Sequence, residues 1–113
     1  MHELSIAIGI VNIAKKEAVK HHISEIELIE LEIGTLSGIE IESLNFAWPL
    51  AVSGTVLEHA EKKINIIKGK ARCLDCGNDF DLKNIFDPCP RCKSHFKDIY
   101  HGKELRVKAI VVN

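Results

Sequence analysis

The chain has 113 residues, 46% of them apolar and 27% charged, with a formal net charge of −1. That balance belongs to a folded globular protein rather than a disordered one, and it leaves no general attraction to nucleic acid or to an anionic membrane surface. No apolar run reaches the roughly 18 residues needed to span a bilayer, and the start Met1-His2-Glu3-Leu4 lacks the basic segment and cleavage site of a secretory signal. A cytoplasmic protein is expected.

Along the chain, Leu4, Ala7, Ile8, Val11, Ala14 and Ala18 recur at helical spacing and predict a first helix over 4–19. Residues 25–33 alternate with period two but slip phase at Leu28-Ile29, which predicts a first strand with a bulge or with two buried faces. Gly34 and Gly38 bracket a turn. Ser37, with Glu40 three residues on, is expected to cap a second helix whose stripe is Ile41, Leu44, Trp48 and Ala51; Pro49 is expected to kink it or end it early. Trp48 lies on that stripe and reads as core rather than as a binding platform. Residues 63–68 read as a second strand and 105–112 as a third, with a cysteine-bearing loop between them. The predicted fold class is α/β: two helices on a three-stranded sheet, formed by 1–69 and 104–113, with a zinc-ribbon-like domain of two Cys-x-x-Cys knuckles inserted over 70–103.

All four cysteines of the chain lie in that insert, as Cys73-Leu74-Asp75-Cys76 and Cys89-Pro90-Arg91-Cys92, with twelve residues between the pairs. A Cys-x-x-Cys turn aims two sulfurs at one point, so two such turns meeting across a short loop form the tetrahedral S₄ set that zinc prefers. Iron accepts the same geometry. Disulfides would require an oxidising compartment, and a thioredoxin-like redox pair needs one Cys-x-x-Cys at a strand-to-helix junction. Zinc is the favoured reading, in a structural role, because four protein ligands leave no open position for water or substrate. A 34-residue insert cannot hold itself together by core alone, and metal binding supplies folding energy of about 10–16 kcal/mol in comparable small zinc modules.

The amino terminus is the second informative feature. The α-amine of Met1, a backbone amide nitrogen and the His2 imidazole close small fused rings around one ion, and such a planar nitrogen set suits Ni(II) or Cu(II) better than zinc. Taken alone this is a weak signal, since most histidines at position two are simply solvated. Histidine is a bulky second residue, so Met1 is expected to stay.

Here the chain resembles the HypA/HybF family of nickel metallochaperones. The resemblance rests on Met1-His2-Glu3-Leu4-Ser5-Ile6, on Ile33-Gly34-Thr35-Leu36-Ser37-Gly38-Ile39-Glu40, on Ser53-Gly54-Thr55, on the two knuckles, and on Gly102-Lys103-Glu104-Leu105-Arg106-Val107-Lys108. It implies Ni(II) held at the N-terminus through His2 and the surrounding backbone, including the Met1 α-amine, with Glu3 nearby and Glu40 close to the metal. It also implies Zn(II) held by Cys73, Cys76, Cys89 and Cys92. The implied activity is transfer of nickel during maturation of NiFe hydrogenase, and in some organisms urease. The implied partners are a nickel-handling GTPase, HypB, and the hydrogenase large subunit; monomer and dimer are both admitted. Two departures stand out: Pro49 falls where such sequences usually continue a helix, and Lys93-Ser94-His95 follows the last cysteine where a glycine is common.

The remaining histidines take plain readings: His21 and His22 at a helix end on the surface, His59 without a partner spacing, His95 and His101 in solvent or beside the zinc ligands. The rival function is a zinc-ribbon adaptor for nucleic acid or protein, in which Lys70, Arg72, Lys83, Arg91, Lys93 and Lys97 with Phe80, Phe86 and Phe96 form a basic aromatic surface. Asp75, Asp79, Asp81, Asp87 and Asp98 nearly cancel that charge. An enzyme is disfavoured, for there is no phosphate-binding glycine loop, nucleophile elbow or His-Glu-x-x-His zinc triad.

Overall fold

A computed structural model describes residues 2–113, which gather into two compact units: residues 2–31, Ile39–Asn65 and Arg106–Asn113 form the first, Glu32–Gly38 and Ile66–Leu105 the second. Helix α1 spans Glu3–Lys20 and buries Glu3, Ala7, Ile10, Val11, Ala14 and Ala18. Four of the six expected stripe positions are thus buried; Leu4 and Ile8 stand 41% and 45% exposed instead, and Glu3 and Ile10 complete the buried face. Three of the buried positions are alanines, which let α1 pack closely on α2 (Ile41–Val52). At the C-terminus of α1 the Ile23 N–H reaches the Ala18 carbonyl at 2.8 Å and the His22 N–H reaches Val19 at 3.3 Å, with His22 at φ 57. This is a Schellman cap, with histidine in the left-handed position that glycine usually fills.

Helix α2 differs from expectation at both ends. Its N-cap is Glu40 rather than Ser37, and the helix continues through Pro49 to Val52 instead of ending early. Leu44, Trp48 and Val52 are its buried residues, and the Lys62 ammonium lies 5.0 Å from the Trp48 ring, so Trp48 is core as expected.

Strand β1 (Leu28–Gly34) begins where the sequence pattern changes phase, so the slip marks a strand start and not a bulge. Ile29, Leu31 and Ile33 point inward; Ile26, buried in the lead-in, donates its N–H to the Val56 carbonyl. With β2 (Glu61–Ile67) and β6 (Leu105–Val111) it forms a sheet of order β2-β1-β6. Backbone bonds from Glu61 to Glu27 and from Thr35 to Ile67 make β1 and β2 parallel, while those from Glu27 to Val111 and from Gly34 to Glu104 make β1 and β6 antiparallel. A parallel pair needs a crossover connection, and α2 supplies it. On the outer face Glu30 accepts a hydrogen bond from Asn65 at 2.6 Å and lies 3.9 Å from Lys63 and 3.7 Å from Lys108. Those partners, the Asn65 amide foremost, hold its carboxyl below the ordinary value against the opposing effect of burial.

The second unit contains three strands where the sequence suggests only a loop: β3 (Lys70–Cys73), β4 (Asp79–Asp81) and β5 (Lys97–His101), antiparallel in the order β4-β3-β5. Ala71 stands opposite Phe80 on one side and Ile99 on the other. The core is Ala71, Cys73, Phe80, Leu82 and Cys89, with Leu36 and Ile99 packed against it. Within this unit Gly34 passes so close to Gly102 that a Cβ on Gly34 would lie 1.9 Å from the Gly102 carbonyl oxygen, and Gly102 itself has φ 115.

Glycines at two positions should therefore respond oppositely to alanine. Gly34→Ala is expected to destabilise the protein by about 3 kcal/mol, since backbone must move. Gly9→Ala, in open space on α1, is expected to stabilise it by roughly 0.5–1 kcal/mol. Thermal unfolding midpoints of the two variants check this.

Candidate metal centres

The two cysteine pairs are built alike. In the first, the Cys73 N–H bonds the Asn78 carbonyl at 2.8 Å and the Gly77 N–H bonds the Cys73 carbonyl at 3.0 Å; in the second, Cys89 bonds Ser94 and Lys93 bonds Cys89, both at 2.8 Å. Each turn also needs a left-handed residue directly after its second cysteine. Gly77 meets this at φ 77, and Lys93 does so at φ 66. The expected glycine is therefore replaced by a lysine that keeps the glycine conformation, at the steric cost a Cβ brings there.

The result is one cluster. The Cys73 and Cys92 sulfurs lie 3.5 Å apart, those of Cys76 and Cys89 3.7 Å apart, and all four lie within 4.8 Å of one another. Four sulfurs at about 2.3 Å from a central zinc ion define a tetrahedron with edges of about 3.8 Å, so the donor set fits zinc without rearrangement. The same distances are far beyond a disulfide bond of about 2.05 Å, and all four cysteines are free thiols. Cys73 and Cys89 are buried while Cys76 and Cys92 are exposed.

Polar hydrogens point at the sulfurs: the Cys76 N–H to Cys73 Sγ at 3.5 Å and the Asn78 side-chain amide to Cys89 Sγ at 3.7 Å. The Cys76 N–H leads in holding the Cys73 thiol below its ordinary value. Burial opposes ionisation of Cys89, but the N–H groups of Cys92 and Arg91 and the Asn78 amide outweigh it and bring the thiol down to about 6. For Cys92 the Ser94 N–H favours the thiolate, yet the neighbouring Cys73, Cys76 and Cys89 and burial push the thiol up to about 12. Four negative sulfurs cannot share this space unaided. A divalent cation removes that conflict. Asn78 and Ser94, each five residues after the first cysteine of its pair, serve the turns in a way the Cys-x-x-Cys spacing does not signal.

The basic residues of this unit are partly neutralised. Lys70 bonds Asp81 at 2.8 Å and Arg72 bonds Asp79 at 3.0 Å, and Phe80 is core rather than a stacking surface. His95 and His101 are exposed; His101 lies 3.3 Å from Glu104.

At the other site, Met1 and its α-amine lie outside the described residues. His2 is exposed and occupies the N-cap position of α1 without a side-chain cap bond, and its carbonyl accepts the Ile6 N–H at 2.9 Å. Glu3 is only 6% exposed, and its carboxylate accepts the N–H of Glu40 at 3.2 Å. The structure thus brings Glu3 and Glu40 together at the starts of α1 and α2, through the backbone of Glu40, whose side chain is exposed. A carboxylate at the positive end of α2 is favourable there.

A family model described as hydrogenase/urease nickel incorporation, metallochaperone, HypA, matches residues 1–112. The chain belongs to the HypA family. Among its relatives, the hydrogenase maturation factor HypA of Parabacteroides distasonis is 46% identical over 112 residues, covering 99% of this chain and 97% of its own. That of Azotobacter vinelandii is 39% identical and covers 99% of both chains. The solution structure of the Ni metallochaperone HypA from Helicobacter pylori superposes with a TM-score of 0.71 at 24% identity, over 98% of this chain and 97% of that one, and shares the fold. The α/β class with two helices and a cysteine-knuckle unit is the HypA architecture. HypA is a metallochaperone family for hydrogenase and urease nickel incorporation, and the four cysteines are clustered so that they could hold a metal ion. Among the described residues no helix is long and apolar enough to cross a membrane.

Relieving the left-handed strain should be measurable. Lys93→Gly is expected to stabilise the zinc-loaded unit by about 1 kcal/mol, read as a roughly fivefold gain in zinc affinity in competition with a chelator.

Proposed function

We propose that this protein binds one Ni(II) at its amino terminus and hands it on during maturation of NiFe hydrogenase, with urease as a further recipient of the same cargo. The donors are the Met1 α-amine, the backbone nitrogen that follows it and the His2 imidazole. Glu3 lies beside them and Glu40 near them. Residues 1–69 and 104–113 form the nickel-binding domain, and 70–103 the zinc-binding domain. Cys73, Cys76, Cys89 and Cys92 hold Zn(II), which cross-links the loop and takes no part in transfer. The partners are the GTPase HypB and the hydrogenase large subunit, in the cytoplasm.

The observation that carries this reading is the pairing of an exposed His2 with an anchored Glu3. A carrier must hold its metal without loss and still release it. Glu3, buried and bonded to the Glu40 amide, ties the start of α1 to the start of α2, while His2, next to it in sequence, stays open to solvent, which supports a terminal site that both holds and releases its ion. Each donor loses a proton on binding, so nickel is held near neutral pH and released as acid returns protons to the ligands. Transfer proceeds by ligand exchange, the recipient's donors replacing the nitrogen set one at a time.

Calorimetric titration of Ni(II) into zinc-loaded protein with an untagged N-terminus is expected to show one site. His2→Ala, and a variant with extra residues ahead of Met1, are both expected to lose it. Equal nickel binding by all three would move the cargo site elsewhere and bring the adaptor reading forward.

A further inference from the structure

Each pair of sulfurs that meets across the two cysteine turns joins one buried cysteine to one exposed cysteine. Buried Cys73 lies 3.5 Å from exposed Cys92, and buried Cys89 lies 3.7 Å from exposed Cys76. With zinc bound all four are thiolates, the form that an oxidant attacks, so reach decides which sulfur reacts. An oxidant in solvent meets Cys76 and Cys92 first, and each has a second sulfur at contact distance behind it.

The two exposed sulfurs differ in their surroundings. Cys92 stands in sequence between Arg91 and Lys93, both exposed, while Cys76 stands between Asp75 and Gly77. Positive charge beside a partly exposed sulfur is the setting of a reactive cysteine. The turns also resist closing on themselves. The Cys76 N–H points at Cys73 Sγ at 3.5 Å, and a disulfide inside that turn has to displace it. A disulfide between the turns needs them only to approach by about 1.5 Å, from 3.5 Å to an S–S bond of about 2.05 Å.

We propose that the four-cysteine cluster is a site of reversible oxidation by hydroperoxides, in which Cys92 is attacked first and Cys73 resolves it, with Cys76 and Cys89 following as the second pair. The Cys92 thiolate attacks one peroxide oxygen and expels hydroxide, leaving a sulfenic acid. The Cys73 thiolate then attacks that sulfur, the S–S bond forms and a second hydroxide leaves. Two thiolates give up two electrons, and hydrogen peroxide is reduced to two hydroxide ions. Zinc loses two of its four ligands and departs. Both disulfides join one turn to the other, so β3 stays tied to the second turn once the metal has gone. Disulfides inside the turns would untie them. The unit therefore outlasts the loss of zinc and can be reduced and reloaded. This inference rests on the reading that the cluster holds zinc.

The test treats the full zinc-loaded chain with hydrogen peroxide and follows zinc with a chromogenic chelator and disulfides by mass spectrometry of unreduced peptides. Trypsin cuts after Arg72, Lys83, Arg91 and Lys93, so Cys73 and Cys76 fall on 73–83, Cys89 on 84–91 and Cys92 on 92–93. Zinc is expected to leave as 73–83 becomes joined to 92–93, with 84–91 joining 73–83 later. A dithiol reductant with added zinc is expected to restore one ion per chain. Arg91→Glu, at an exposed position, is expected to slow zinc release by about threefold. Joining of 84–91 to 92–93, thiol loss that leaves zinc bound, thiols that the reductant fails to restore, or an unchanged rate in Arg91→Glu overturns the proposal. Zinc counted before oxidant is added separates the two readings. A chain with one zinc that pairs inside its turns overturns this inference alone. A chain without zinc overturns the zinc reading, and the peptide pattern still decides the pairing.

Discussion

The second unit depends on the fact that its cysteines are both its ligands and its core. Its hydrophobic cluster is Ala71, Cys73, Phe80, Leu82 and Cys89, and two of these five are members of the four-cysteine cluster. An apolar core so small does little to offset the entropy of ordering some forty residues, and a metal ion bridging the knuckles would supply the difference. The rest of the unit is arranged to let four sulfurs meet. The β3–β4 and β3–β5 pairings fix where Cys73 leaves the sheet, the matched turns set the direction of each pair, and Gly77 and Lys93 take left-handed conformations so that those turns can close.

The first unit holds the start of α1 in place without enclosing His2. Chain termini are ordinarily poorly ordered unless tied down. Here the tie is one buried carboxylate. Glu3 gives up solvent for the Glu40 amide at the start of α2, and the small residues Ala7, Ala14 and Ala18 let α1 lie against α2 closely enough for that bond to form. His2 is left outside. The cysteine cluster and the Glu3–Glu40 tie are thus built from different parts of the sequence by different physical means, matched turns in one and a buried carboxylate in the other.

Much of this was legible in the sequence because it rests on spacing. The knuckles, both helices and the three strands of the first sheet follow from cysteine intervals and from periods of 3.6 and 2. The misses have local causes. Glu3 is charged, so a search for apolar periodicity added Leu4 and Ile8 to the stripe of Ala7, Val11, Ala14 and Ala18, where the buried face instead takes in Glu3 and Ile10. Ser37 has the chemistry of a cap, but the helix starts at Ile41 because Glu3 reaches the Glu40 amide from another part of the chain, a contact that local sequence does not announce. Strands β3, β4 and β5 are three to five residues long and carry ion pairs such as Lys70–Asp81 and Arg72–Asp79 on their exposed face, so they read as a polar loop. Pro49 lies within α2 near its end, and the helix runs only three residues past it.

The central claim is that two metals are kept apart by donor chemistry, zinc on four sulfurs and nickel on nitrogen at the terminus. X-ray absorption at both metal edges, on protein loaded with one equivalent of each, tests this most directly. The account predicts four sulfur neighbours at about 2.3 Å around zinc and only nitrogen or oxygen neighbours around nickel. Sulfur in the nickel shell, or nitrogen and oxygen replacing sulfur around zinc, would contradict it.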